Sequence, residues 1–118
     1  MKLIIAGGRD FTNTEYMMES LVSLLNQGLI PDSPVLVCGM ARGADLTAHD
    51  LWSKYGMEII EVPADWATLG RSAGHIRNAK MGKLADACVA FWDGKSSGTK
   101  GMIDYMNKAG KPCWVFNY

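Results

Sequence analysis

The chain carries no net charge, with twelve Lys and Arg balancing twelve Asp and Glu. A domain that coats nucleic acid through bulk electrostatics normally shows a basic excess. No apolar run approaches the length needed to cross a bilayer. The opening Met1-Lys2-Leu3-Ile4-Ile5-Ala6-Gly7 is interrupted too soon to read as a signal peptide. Cysteine is scarce, and Cys38, Cys88 and Cys113 each sit inside an apolar run with no Cys-x-x-Cys among them. No His/Cys/Asp cluster has metal-ligand spacing either. Three reduced, buried thiols in a cytoplasmic protein, with no resident metal or cofactor, is the reading that follows. Two nucleotide fingerprints are missing as well: neither Gly-x-x-x-x-Gly-Lys-Ser/Thr nor Gly-x-Gly-x-x-Gly occurs. That argues against a P-loop ATPase and a dinucleotide dehydrogenase. Linkers, repeats and low-complexity tracts are absent too, so residues 1–118 are read as one domain.

What is present is a regular alternation. Five short apolar runs recur: Leu3–Ala6, Val35–Cys38, Glu58–Pro63, Ala87–Trp92 and Pro112–Phe116. Four are nearly continuous, as strands buried on both faces of a parallel sheet are. The third is more mixed and suits an edge. Thr12-Asn13-Thr14-Glu15 has the form of a capping box, after which Met17, Leu21, Leu24 and Leu25 follow at helical spacing up to Gly28. Further helices are predicted over Asp45–Tyr55, closed by Gly56, over Ala73–Ala85, and over Thr99–Ala109, closed by Gly110. Strict alternation implies right-handed crossovers and an α/β, Rossmann-like, three-layer fold: a five-stranded, mostly parallel sheet with four helices. The most economical strand order is 3-2-1-4-5, with the topological switch point between the first and fourth strands.

Ligands of such sheets bind beyond the carboxyl ends of the strands. The first strand runs into Gly7-Gly8-Arg9-Asp10-Phe11 and the second into Gly39-Met40-Ala41-Arg42-Gly43-Ala44-Asp45. The third runs into Ala64-Asp65-Trp66 and then Gly70-Arg71-Ser72. The fourth runs into Asp93-Gly94-Lys95-Ser96-Ser97-Gly98-Thr99-Lys100-Gly101, a glycine- and hydroxyl-rich loop leading straight into a helix. Glycines let backbone N–H groups approach an anion, and a helix start points its positive end at the same place. All four arginines, Arg9, Arg42, Arg71 and Arg77, fall in or just after these loops, whereas Lys2, Lys54, Lys83, Lys108 and Lys111 lie elsewhere. The planar guanidinium grips phosphate in two places. One or two of these arginines are expected to pair with Asp10, Asp45, Asp65 or Asp93. Trp66 and Trp92 lie at the same edge, where a ring can stack on a base or simply plug the core. Trp52 and Trp114 read as packing, and His49 and His75 as helix residues near the edge with no assigned role.

These segments together resemble the SLOG superfamily, which joins the DNA-processing protein Smf/DprA to the Lonely Guy nucleotide hydrolases. Within it the resemblance is to the small YspA-like proteins of bacteria and phages, and it covers essentially the whole chain. Val37-Cys38-Gly39-Met40-Ala41-Arg42-Gly43-Ala44-Asp45 with Ala48-His49 is similar to the Ser-Gly-x-Ala-x-Gly-x-Asp-x-x-Ala-His segment of DprA. Gly7-Gly8-Arg9 resembles the opening turn of the superfamily, and Gly70-Arg71-x-Ala73-Gly74-x-Ile76-Arg77-Asn78-x-x-Met81 a stretch of the YspA-like branch. Asp93-Gly94 through Gly98-Thr99 occupies the place of a Pro-Gly-Gly-x-Gly-Thr phosphate loop, lengthened by Lys95-Ser96-Ser97 and with Asp93 in place of proline.

The resemblance implies a phosphate-bearing nucleotide, or a molecule derived from one, held at the carboxyl edge by a sensor, carrier or sequestering protein. The hydrolases of the superfamily place a catalytic Glu three residues after the Gly-Thr pair, and here that position is Met102. If the chain is an enzyme, it is a nucleoside 5′-monophosphate N-glycosidase, with Asp45 and Asp93 as candidate catalytic carboxylates and Asp104 as a further one. Single-stranded DNA binding is a more distant alternative, disfavoured by the neutral charge. Pairing of two copies is a further expectation, with Met17 or Met18 at the interface.

Overall fold

A computed structural model describes all residues from Met1 to Tyr118. Strands and helices alternate: β1 (Lys2–Gly7), α1 (Thr14–Asn26), β2 (Val35–Cys38), α2 (Ala44–Lys54), β3 (Ile59–Glu61), α3 (Trp66–Leu69), α4 (Ala73–Leu84), β4 (Ala87–Trp92), α5 (Ser97–Lys108) and β5 (Cys113–Asn117). A single 3-10 turn, Gly70–Ser72, joins α3 to α4. The strands form one parallel sheet in the order β3-β2-β1-β4-β5. The predicted class and strand order are therefore observed, with four long helices and one extra helical turn after β3.

Alternation along the strands divides the core. Leu3 and Ile5 of β1, Leu36 and Cys38 of β2, and Val89 and Phe91 of β4 face one side, where Met17, Leu21 and Leu24 of α1 and Ala48, Leu51 and Trp52 of α2 cover them. Ile4, Ala6, Val37, Cys88 and Ala90 face the other, under Met81 of α4 and Met102 and Met106 of α5. Because β1 and β4 are covered on both faces, nearly all their residues are apolar. The indole N–H of Trp52 donates to the Pro34 carbonyl at 2.8 Å, so the packing role read for that residue holds.

Several local expectations shift. The cap of α1 is Asn13, whose side chain accepts from the Tyr16 amide at 3.0 Å, and not Thr12 one residue earlier. Helix α5 begins at Ser97, ahead of the predicted Thr99. Strand β5 is an edge strand with Val115 exposed, and so is not buried on both faces. Met17 is fully buried in the core and cannot serve an interface; Met18 is half-buried. No helix is long and apolar enough to cross a membrane.

Candidate functional site

The connection from β1 leaves across one face of the sheet and that from β4 across the other. Between their carboxyl ends this reversal opens a cleft of about 810 Å³. Loops from four strands line it. Gly7, Gly8, Arg9 and Asp10 come from β1; Ala41, Arg42 and Asp45 from the turn into α2. Trp66, Arg71, Gly74, His75, Arg77 and Asn78 come from the α3–α4 segment; Asp93, Ser96, Ser97, Gly98, Thr99 and Met102 from the turn into α5. Ala6 and Met81 complete it.

The β1 and β2 loops fit together through their backbones. Gly43 has φ +87° and ψ −129°, a conformation that side-chain-bearing residues avoid. A β-carbon there would stand 2.5 Å from Arg9 Cα and collide with the Gly8 carbonyl. The Ala44 amide donates to that same carbonyl at 3.1 Å. A β-carbon on Gly7 would likewise meet Ala44 Cβ at 2.6 Å. So Gly43 and Ala44, both expected to face a ligand, are buried and act by seating one loop on the other. Tyr118 closes over Gly8 and donates its hydroxyl to Asp10 Oδ1 at 2.7 Å. Desolvation, and then the Asp10 carboxylate, push this phenol up to about 12.

Asp45 opens α2 and lies half-buried at the floor of the cleft, where its Oδ2 accepts from the Ala41 amide at 3.2 Å. Desolvation raises its carboxyl from 3.8 to about 6, against the Ala41 amide and the Arg77 guanidinium, which both pull it down. Arg77 is itself fixed, donating to the Gly39 carbonyl and, at 2.8 Å, to Asn78 Oδ1. Between pH 3.8 and about 6 the folded protein holds a proton that the unfolded chain has lost. The contribution of Asp45 to stability is thus fully present below the unfolded value and lost as pH rises through about 6. Asp45→Asn keeps an acceptor for Ala41 and removes this loss. It is expected to be more stable than the parent at pH 7, by on the order of 2 kcal/mol, with the difference closing near pH 3.5. Urea-denaturation midpoints across that range check it.

Asp93 has a different environment. Its Oδ1 accepts from the amides of Lys95 and Ser96, both at 2.8 Å, and these bonds hold its carboxyl below the usual range. It is therefore ionised and shapes the turn. The turn delivers the amides of Ser97, Gly98 and Thr99 to the start of α5, where a helix offers them no acceptor. Thr99 is buried, its hydroxyl 3.2 Å from that of Ser96.

The arginines differ from expectation. The chain has two ion pairs, His49–Glu61 and Lys100–Asp104, and neither contains an arginine. The expected Arg–Asp pairs do not form: Asp10 accepts from Tyr118, Asp45 from the Ala41 amide, Asp65 from the Thr68 amide, and Asp93 from the amides of its own turn. Arg9, Arg42 and Arg71 are exposed at the rim.

Other sequence-named residues lie outside the main cleft. Gly39 and Met40 line an adjoining lobe of about 540 Å³, shared with Arg9, Arg42, Trp66 and Arg77. Trp92 turns its indole N–H to the Ser96 carbonyl at 3.0 Å and supports the loop. Gly94 makes the left-handed step of that loop, with φ +82°, and Lys100 pairs with Asp104 at 2.7 Å. His49 is taken up by Glu61 at 2.8 Å and has Ser53 beside it. Sequence reasoning missed Tyr118, which meets Asp10 only through the fold. It also missed Gly74 and Ala41, read as motif letters and not as cleft wall.

Comparison with known proteins agrees with this architecture. The model of the YspA, cpYpsA-related SLOG family matches residues 1–68, more than half of the chain. The Gene 61 protein of Mycobacterium phage D29 is 36% identical over 125 residues, a match covering 99% of this chain and 95% of that protein. No solved structure matches. The chain is a Rossmann-like α/β protein with its cleft at the switch point, and it belongs to the YspA, cpYpsA-related SLOG family. The family match takes in Arg9, Arg42 and Trp66 and ends before Arg71, Arg77 and the α5 turn.

Proposed function

We propose that the chain binds a phosphate-bearing nucleotide, or a molecule derived from one, in this cleft and holds it intact as a sensor, carrier or sequestering protein. One observation carries the reading: four arginines border a single cleft and none has an ion-pair partner. Unpaired guanidinium groups gathered round a concavity suit a polyanionic guest, and the amides of Ser97, Gly98 and Thr99 add donors along the axis of α5. With Met102 buried where a hydrolase of the superfamily has its Glu, the phosphate-holding parts are better furnished than the catalytic ones.

Thermal unfolding in the presence of nucleoside mono-, di- and triphosphates and dinucleotides tests this. A ligand at about one hundred times its dissociation constant adds about 2.7 kcal/mol and moves the midpoint by several degrees. The double variant Arg9→Ala/Arg42→Ala is expected to lose most of the shift. No shift with any nucleotide would reject the reading.

A second reading, hydrolysis of the N-glycosidic bond of a nucleoside 5′-monophosphate, is favoured by Asp45 alone. A carboxyl raised to about 6 in the cleft keeps its proton to higher pH than an ordinary aspartate, as a general acid working in mildly acidic solution requires. Free base released from a bound monophosphate, and lost in Asp45→Asn, would establish it; recovery of every bound ligand intact would exclude it.

A further inference from the structure

We propose that the ligand extends from the main cleft into the adjoining lobe beside Trp66, and is therefore of dinucleotide type, with a second phosphate and its base in that lobe. This rests on the reading of the cleft as a nucleotide site and specifies the class of nucleotide.

The lobe and the cleft share Arg9, Arg42, Trp66 and Arg77, and so adjoin along that wall. Their charges are unlike. Asp10, Asp45 and Asp93 all line the main cleft, whereas the lobe has three arginines and no carboxylate. Apart from Trp66, its remaining side chains are apolar, Met40 and Pro63 the largest. Every polar side chain there is a donor; Arg77 already donates to the Gly39 carbonyl and to Asn78, so it is for Arg9 and Arg42 that an occupant must supply acceptors and negative charge.

Trp66 adds the second requirement. It is 52% exposed, in a protein whose other tryptophans are buried or half-buried. One edge of its ring rests over α4 at Gly74, where a β-carbon would stand 3.4 Å away. Much of the indole is left open beside unpaired guanidinium groups. A base stacked on the ring with its phosphate on the arginines satisfies both features together. A nucleoside monophosphate anchored at the start of α5 supplies no second anion for the lobe, and a nucleoside di- or triphosphate supplies an anion without a second base for the ring.

Calorimetric titration of the whole chain with the 5′-monophosphates of the four bases, and with the matching 5′-phosphorylated dinucleotides, tests the proposal. The best dinucleotide is expected to bind at least about tenfold tighter than its mononucleotide. Ala64→Glu places a carboxylate in the lobe, beside the arginines it shares with the main cleft, and is expected to weaken the dinucleotide at least about tenfold more than the mononucleotide, abolishing that advantage. Trp66→Ala should weaken the dinucleotide about tenfold and Trp66→Phe should restore most of the loss. Equal affinity for the two ligand sizes, or a dinucleotide advantage untouched by Ala64→Glu, would overturn the proposal and leave a mononucleotide site standing. Affinity that keeps climbing with oligonucleotide length and falls steeply with salt would overturn it in favour of a single-stranded nucleic acid groove. Failure of every nucleotide to bind would remove the proposal together with the reading beneath it.

Discussion

Gly43→Ala is expected to cost at least about 3 kcal/mol and to lower the thermal midpoint by about 10 °C or more. Two effects combine. The backbone at φ +87° and ψ −129° is open to glycine and strained for alanine. The added methyl group would also strike backbone atoms, Gly8 O and Arg9 Cα, which have no flexible end to move aside. Relief requires the β1 and β2 loops to part, breaking the Ala44 amide bond to Gly8. Gly101→Ala is the matched control: it lies inside α5, nothing stands within 4 Å of its β-carbon position, and the change should stabilise by about 0.5–1 kcal/mol. Chemical denaturation of both variants reads the contrast. An unchanged midpoint for Gly43→Ala would mean that the loops are not seated as described.

The second large effect is expected at Phe91. This residue of β4 has no exposed surface and stacks with Phe11 at 4.7 Å between ring centroids and with Phe116 at 5.7 Å. Tyr16 meets it edge-on at 5.8 Å. Phe91→Ala should cost about 3–5 kcal/mol, because the surrounding rings come from α1, β5 and the loop after β1 and cannot collapse together into the space. Its consequence reaches the cleft: Phe11 is the residue after Asp10 and lies against Tyr118 at 4.9 Å. Loss of Phe91 therefore loosens the Asp10–Tyr118 rim as well as the core. Truncation of Trp66, half exposed and resting on α4 at Gly74, should in contrast cost less, on the order of 1–2 kcal/mol. Urea midpoints for the two variants separate a packing residue from a surface one.

The sheet was legible because β1, β2 and β4 are written almost wholly in apolar residues, and because glycines such as Gly28, Gly56 and Gly110 mark where helices stop. Each of the three takes positive φ, which is why the reading of helix ends held to within two residues. Helix starts were read to the same precision, one residue late for α2, exact for α4 and two residues late for α5, but the cap of α1 was not. Thr12 and Asn13 are both good caps, and only the tertiary path decides that Asn13 turns its oxygen to the Tyr16 amide. The short turn Trp66–Leu69 gave no periodic signal, being a single turn capped by Asp65 with no buried residue. At the site, the residues next to glycines in the loops were found by the rule that ligands bind beyond strand ends. Which of them face the cleft was not, since that depends on how one loop rests against another. Trp92, at the end of β4, and Lys100, in the first turn of α5, flank the right loop and point elsewhere for local reasons, a bond to the Ser96 carbonyl and an (i, i+4) pair. Tyr118, 108 residues from Asp10, left no trace in the sequence.

The seating of Gly43 on Gly8 and Arg9 has one more consequence. Two loops that fit backbone to backbone lose their freedom when the protein folds, not when a guest arrives. A ligand meeting that wall has little disorder left to remove, and so keeps more of the free energy of its contacts as affinity. Pre-organisation of this kind lets a cleft built largely from loops behave as though it were part of the sheet.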